Sequence, residues 1–207
     1  HFNENINIKY WNVSNVEDMS FMFYNIYYYH NTFNQDLNNW DVSKVKNMSH
    51  MFFNCPKFNK PINNWDVKNV INMERMFSNC ESFNQNINCW DVSKVKNMQY
   101  MFDGCRSFNQ PLNLWNVCNV ETMIRMFYFC LIFNQDLNAW NVSKVKDISY
   151  MFSNCNKFNK SLNNWDVSSV ENMKGCFSSC LQFNKSINNW NISNVKNMDL
   201  MFYNCRS

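Results

Sequence analysis

The chain repeats itself every 25 residues, and no other feature limits so strongly what it can fold into. Tryptophan falls at Trp11, Trp40, Trp65, Trp90, Trp115, Trp140, Trp165 and Trp190, with a first interval of 29 and every later one of 25. Met-Phe and Phe-Asn dipeptides keep the same beat. A period of this length marks a unit that cannot bury its apolar face alone and must stack on its neighbours. The 207 residues therefore read as a single domain of eight repeats, an irregular one over 1–32 and regular ones over 33–207.

Each unit is counted from its tryptophan as position 1. Positions 1, 3, 6, 9, 12, 13, 16, 19 and 23 are apolar in nearly every copy; in the second unit they are Trp40, Val42, Val45, Met48, Met51, Phe52, Cys55, Phe58 and Ile62. Positions 9, 12, 13 and 16 have the i, i+3, i+4, i+7 spacing of one helix face. Position 8 is always Asn, Asp or Thr, residues that cap a helix N-terminus. Position 15 is mostly Asn, Gly or Ser, which tolerate the left-handed turn that stops a helix. The spacing thus predicts a helix of about two turns between those caps. Trp40 and Val42, two apart, suit one face of a short strand. Such strands would pair in parallel at roughly 4.8 Å per coil, giving a rod of about 35–40 Å. The expected fold is an α/β repeat solenoid with one short strand and one short helix in each of eight coils.

Two polar rows do not vary. Position 20 is Asn3, Asn34, Asn59, Asn84, Asn109, Asn134, Asn159 and Asn184, and position 24 is Asn7, Asn38, Asn63, Asn88, Asn113, Asn138, Asn163 and Asn188. An amide is both donor and acceptor, so stacked asparagines can bond each to the next and satisfy turn backbone. Asparagine fills 42 of the 207 positions. A biased codon composition accounts for scattered asparagines but not for two unbroken rows.

Met-Phe-x-x-Cys-x-x-Phe-Asn followed by Leu/Ile-Asn-x-Trp-Asp/Asn-Val resembles the BspA-like leucine-rich repeats, in the 25-residue variant of surface lipoproteins. Met51, Phe52 and Cys55 match that family's Ala-Phe-x-x-Cys stretch, with Met for Ala, and the match runs through the whole chain. The resemblance implies a leucine-rich-repeat-like solenoid and an adhesion or interaction role at the cell surface or outside the cell. Ile26 in place of the first cysteine and Phe129 in place of the polar stop depart from the pattern.

Seven of the ten cysteines, Cys55, Cys80, Cys105, Cys130, Cys155, Cys180 and Cys205, share one row. Their side chains run parallel, and seven cannot all pair, so buried free thiols are the simpler reading than disulfides or zinc. Cys176 stands where other units have Met and fills core volume; Cys89 and Cys118 break polar rows and are the exposed thiols. Free thiols also suit an intracellular or virion setting, the alternative to the surface.

Catalysis has little to stand on. The histidines His1, His30 and His50 are not in register. The carboxylates of position 2 (Asp41, Asp66, Asp91, Asp166) alternate with Asn, so the shared property is an acceptor for a local turn. No enzymatic site, metal or cofactor is expected. A net charge of +3 and core tryptophans argue against nucleic acid, and no apolar run is long enough to span a bilayer.

Lys44 and Lys46, Lys94 and Lys96, and Lys144 and Lys146 recur 50 apart, with Ile71, Glu121 and Glu171 between them at position 7. Arg75 and Arg125 interleave with Tyr100 and Tyr150 at position 11, so the array reads as the duplication of a two-unit block. The lysines form either a solvated, charge-balanced face or a stripe for an acidic protein surface or polyanionic glycan. The first unit carries an insertion with Tyr27, Tyr28, Tyr29 and His30, either a cap of the stack or a tyrosine-rich binding loop. The chain opens on His1 and ends at Ser207 without a visible cap, so it reads as an excerpt of a longer one. Two non-enzymatic functions follow: a scaffold for protein–protein or surface-adhesion contacts, or a structural spacer or fibre component that joins end to end.

Overall fold

The structure, a computed structural model, describes residues 7–26 and 31–206. The nine apolar rows of the repeat all point inward. In the second unit Trp40, Val42, Val45, Met48, Met51, Phe52, Cys55, Phe58 and Ile62 are each at most 3% exposed, and the third to sixth units repeat this.

Aromatic rings file from unit to unit through that core. The position 13 phenylalanines, from Phe52 and Phe77 to Phe202, stack at 5.6–5.7 Å. The position 19 rings from Phe58 to Phe183 stack at 5.9–6.1 Å. Within one unit the two rows meet, as Phe52 and Phe58 do at 4.1 Å. The indoles of Trp140 and Trp165 lie 6.5 Å apart with planes 2° from parallel. Each indole N–H from Trp40 to Trp190 donates to a Leu or Ile carbonyl 28 residues back (32 for Trp40, to Ile8) at 2.8–3.2 Å, so the one polar atom of that side chain is satisfied inside the core.

The expected strand and helix are both overturned. Among the described residues the one helical element is a 3-10 turn, Ile8–Tyr10. Among the described residues the β-pairing likewise consists of seven isolated parallel bridges between position 8 residues, from Asp18↔Asn47 to Asn172↔Asn197, and no sheet forms. The α/β solenoid with a strand and a helix in each coil does not describe this chain.

Backbone conformation supplies the reason. Positions 11 and 15 are both left-handed: His50 and Asn54, Arg75 and Asn79, Tyr100 and Gly104, Arg125 and Phe129 all have φ between 51° and 74°. A right-handed helix cannot pass through two such residues four apart. The segment instead forms successive tight turns. Amides of positions 12, 14 and 16 bond within the unit (Met51, Phe53 and Cys55 to the carbonyls of Met48, His50 and Phe52). Amides of positions 9, 11, 13 and 15 point along the stack: Met48, His50, Phe52 and Asn54 donate to Asn72, Glu74, Met76 and Ser78. Ile71 donates back to Lys46. The same five bonds recur at each of the seven boundaries between units, at 2.6–3.2 Å. Alternate amides are thus shared between turn and neighbour, and the backbone is satisfied without helix or sheet.

The Trp-x-Val segment curls for a similar reason. Trp40 N–H donates to Leu37 and Val45 N–H to Val42, while Asp41 Oδ1 accepts from Ser43 N–H at 3.0 Å. That last contact recurs at position 2 in all eight units, from Asn12 to Asn191, with Asn and Asp serving alike. Position 8 uses its side chain the same way: Asn47 Oδ1 accepts from Ser49 N–H at 3.1 Å, closing a turn where a helix cap was expected.

Candidate interaction face

With the core rows turned inward, partner binding falls to the residues left outside. The lysine edge is built from positions 5 and 7. Lys44, Lys94 and Lys144 extend their ammonium groups to Asn15, Asn69 and Asn119 of the unit before, each at 2.7 Å. In alternate units the same row is bridged by an amide: Asn69 and Asn119 donate to the carbonyls of Ser43 and Ser93. Lys46 pairs with Glu17 at 2.7 Å, Lys196 with Glu171 at 2.6 Å, and Lys96 reaches Glu121 at 3.9 Å. Lys46 and Lys196 hold Glu17 and Glu171 below the usual carboxylate range through hydrogen bond and charge. Lys146 lies with Glu171 and Lys196 around a shallow depression of about 360 Å³. The edge is exposed and its signs alternate, so it presents local dipoles rather than a continuous positive stripe.

Position 11 makes a second edge, which the sequence showed only as an alternation. The guanidinium of Arg75 lies 4.0 Å from the ring centre of Tyr100. That of Arg125 sits among Tyr100, Tyr128 and Tyr150 at 5.8, 4.6 and 5.2 Å. Farther toward the first unit, His50 stacks on Phe21 at 4.5 Å, and burial pulls its pKa down, so it serves as an aromatic filler. Asp103, between the two arginine-bearing units, is half-buried; desolvation pushes its carboxyl up to about 6 against the pull of Arg125 and Arg75. Nothing in a single unit could reveal this carboxylate, because its row otherwise holds Tyr, Phe and Ser.

The asparagine rows divide. At position 20 each side-chain oxygen accepts from the backbone N–H of the next unit's asparagine. The six rungs Asn34–Asn59, Asn59–Asn84, Asn84–Asn109, Asn109–Asn134, Asn134–Asn159 and Asn159–Asn184 measure 2.9–3.2 Å. At position 24, Asn38, Asn88, Asn138 and Asn163 accept from backbone N–H groups 26 residues on. Asn88 also donates to Asn113 at 3.1 Å, while Asn63 bonds to Asn64 and Asn188 N–H to Ser186.

All ten cysteines are free. The thiols of Cys55, Cys80, Cys105, Cys130, Cys155, Cys180 and Cys205 each donate to the position 13 carbonyl of the preceding unit at 2.8–3.3 Å. Burial pushes Cys55 up to about 12 and raises Cys80, Cys105, Cys130, Cys155 and Cys180 well above the ordinary thiol value, which leaves them without thiolate character. Cys89 is exposed and Cys118 half-exposed. Tyr27, Tyr28, Tyr29 and His30 lie outside the described residues. Among those described, no three His, Cys, Asp or Glu side chains converge to hold a metal ion. No helix among them is long and apolar enough to cross a membrane.

Residues 1–31, 24–140 and 123–207 match the family described as "Mycoplasma protein of unknown function, DUF285". The chain belongs to the DUF285 family. No curated protein matches this DUF285 chain. A leucine-rich repeat protein from Bacteroides ovatus ATCC 8483 is similar at 12% identity, over 76% of this chain and 70% of its own, with a TM-score of 0.19. That likeness is too weak to carry an argument about fold. The family that the matches give is DUF285, and the BspA-like resemblance stays a likeness of motif.

Proposed function

We propose that this DUF285 array is a non-enzymatic scaffold whose outer edges bind another macromolecule, a protein or a surface glycan, at the cell surface or outside the cell. One observation carries the reading. The positions that make the fold hold one residue type or a close substitute from unit to unit, whereas positions 7, 17 and 18, exposed or half-buried where described, change almost every time. A framework fixed inside and varied outside is how repeat arrays present a binding surface.

The test is binding of the purified 207-residue chain to cells, to matrix proteins and to a glycan array, with Lys46, Lys96 and Lys146 changed to Glu for comparison. Binding that the triple change abolishes assigns the contact to the lysine edge. Binding that it leaves intact removes that edge and keeps the scaffold. Failure to bind any of the three sinks the reading.

End-to-end association is the second reading, and it has its own observation. In the last unit Ile192, Met198, Leu200, Phe202 and Tyr203 are 44–63% exposed, at positions that are mostly buried in the units before it. Another repeat unit stacked there, of this chain or of a second copy, would cover them. A monomer at high concentration in sedimentation analysis counts against it. Ten free thiols fit an intracellular or virion setting for this second reading.

A further inference from the structure

The fifth unit, residues 115–139, breaks the polar pattern of the outer edge. Its positions 10, 14, 15, 17 and 18 read Ile124, Tyr128, Phe129, Leu131 and Ile132. The unit before has Gln99, Asp103, Gly104, Arg106 and Ser107 there, and the unit after has Ser149, Ser153, Asn154, Asn156 and Lys157. The core does not ask for these apolar groups, since Trp115, Val117, Val120, Met123, Met126, Phe127, Cys130, Phe133 and Leu137 already fill all nine inner rows. Two of them stay in solvent, Phe129 at 36% and Ile132 at 44% exposed, while Ile124, Tyr128 and Leu131 are half-buried.

Phe129 also works against its own backbone. It holds φ 57° at a position where neighbouring units use Gly104 and Asn154. The left-handed region disfavours a bulky side chain, whose Cβ crowds the following carbonyl. Its ring meets Tyr128 edge-on at 4.7 Å, so the two form one apolar surface that is kept partly in solvent despite the strain, as a contact surface would be.

Charge around this strip is mostly positive; Asp103 lies near enough to Arg125 to feel its charge but forms no ion pair with it. Arg125, pinned among three tyrosine rings, has no carboxylate within ion-pair distance among the described residues, and neither does Lys157, which follows Ile132 in its row. Stacking holds the Arg125 fork in place, so little freedom is lost when it meets an anion. Arg106, by contrast, is already matched by Glu81 at 3.1 Å.

We propose that the outer edge of the fifth unit, Ile124 to Ile132 with Arg125, is the docking surface for an acidic peptide segment of another protein that carries large apolar side chains beside Asp or Glu. The apolar strip takes the anchors, and Arg125 with Lys157 takes the carboxylates. A polyanionic glycan would leave the strip empty. The proposal rests on the scaffold reading and gives it a place.

The experiment selects ligands from a phage-displayed dodecapeptide library on the intact chain and measures the enriched peptide, fluorescein-labelled, by anisotropy. The comparison proteins are Phe129→Asn with Leu131→Asn and Ile132→Ser, residue types that neighbouring units carry or tolerate, and separately Arg125→Gln. The expected result is a consensus of Leu, Phe or Trp flanked by Asp or Glu, weakened about tenfold or more by the triple change and severalfold by Arg125→Gln. The proposal is overturned by a basic or featureless consensus, by equal affinity for the triple variant, by displacement with heparin alone, or by self-association that the triple change abolishes. Cell or glycan binding that survives the triple change overturns this location while leaving the scaffold reading in place.

Discussion

The thiol of Cys80 donates to the carbonyl oxygen of Phe52, one unit back, at 3.0 Å. That oxygen already accepts from the N–H of Cys55 at 3.0 Å, so both its lone pairs are used in a dry core. The site calls for a small apolar side chain with one donor, and cysteine meets both needs. Because burial raises the pKa of Cys80, Cys105, Cys130, Cys155, Cys176 and Cys180, none should react with a thiol reagent at pH 8. Labelling of the native chain followed by peptide mapping should find Cys89 modified first and Cys118 next, with the buried row modified only in denaturant. Early modification of Cys105 would contradict the packing.

Asn109 has a different task. Its Oδ1 accepts the backbone N–H of Asn134 at 2.9 Å and Nε2 of Gln135 at 3.0 Å. Asn109→Leu leaves that backbone N–H without a partner and should cost about 1–3 kcal/mol. Asn109→Asp keeps the acceptor and should cost clearly less. Urea unfolding of both variants checks the order, and an equal loss would mean that the rung does not hold the units together.

Two left-handed residues in each unit from the second on make backbone strain testable. Gly175 has φ 59°, and a Cβ there would run into the ring of Tyr150. Gly175→Ala should therefore lower stability by about 1–3 kcal/mol. Combining it with Tyr150→Ser should restore the part due to the ring and leave the part due to φ. Thermal unfolding of the two single variants and the double one separates them; no recovery in the double variant would place the whole cost in the backbone.

What the sequence made legible was the inside. The nine rows, the acceptor at position 2 and the left-handed residue at position 15 follow from residue type repeated at a fixed period. The second left-handed residue, at position 11, did not: Arg, Tyr, His and Leu stand there, and none of them announces φ near 57°. Met48, Met51, Phe52 and Cys55 also carry a helical spacing in full, yet a run of tight turns brings the same four side chains inward. Spacing alone cannot separate the two, because periodicity reports which side chains face the core and not how the amides between them are bonded. The outer edges were legible only as alternation, since the stacking of Arg75 on Tyr100 joins residues of different units.

Asp103 gives the array a pH dependence of known sign. Burial raises its carboxyl to about 6 in the folded chain, above the ordinary 3.8, so between those values the folded state holds a proton that the unfolded state has lost. Stability contributed by this group is full below about pH 4 and falls as pH rises toward 6. The loss is on the order of 3 kcal/mol at most, taking roughly 1.4 kcal/mol for each pH unit between the two values. Arg75 and Arg125 pull the other way and set its upper limit. Asp103→Asn removes the titration, so its urea midpoint should hold steadier than wild type between pH 4 and 6 and exceed it at pH 7. Parallel profiles for the two proteins across that window would show that Asp103 is ionised at little cost where it stands.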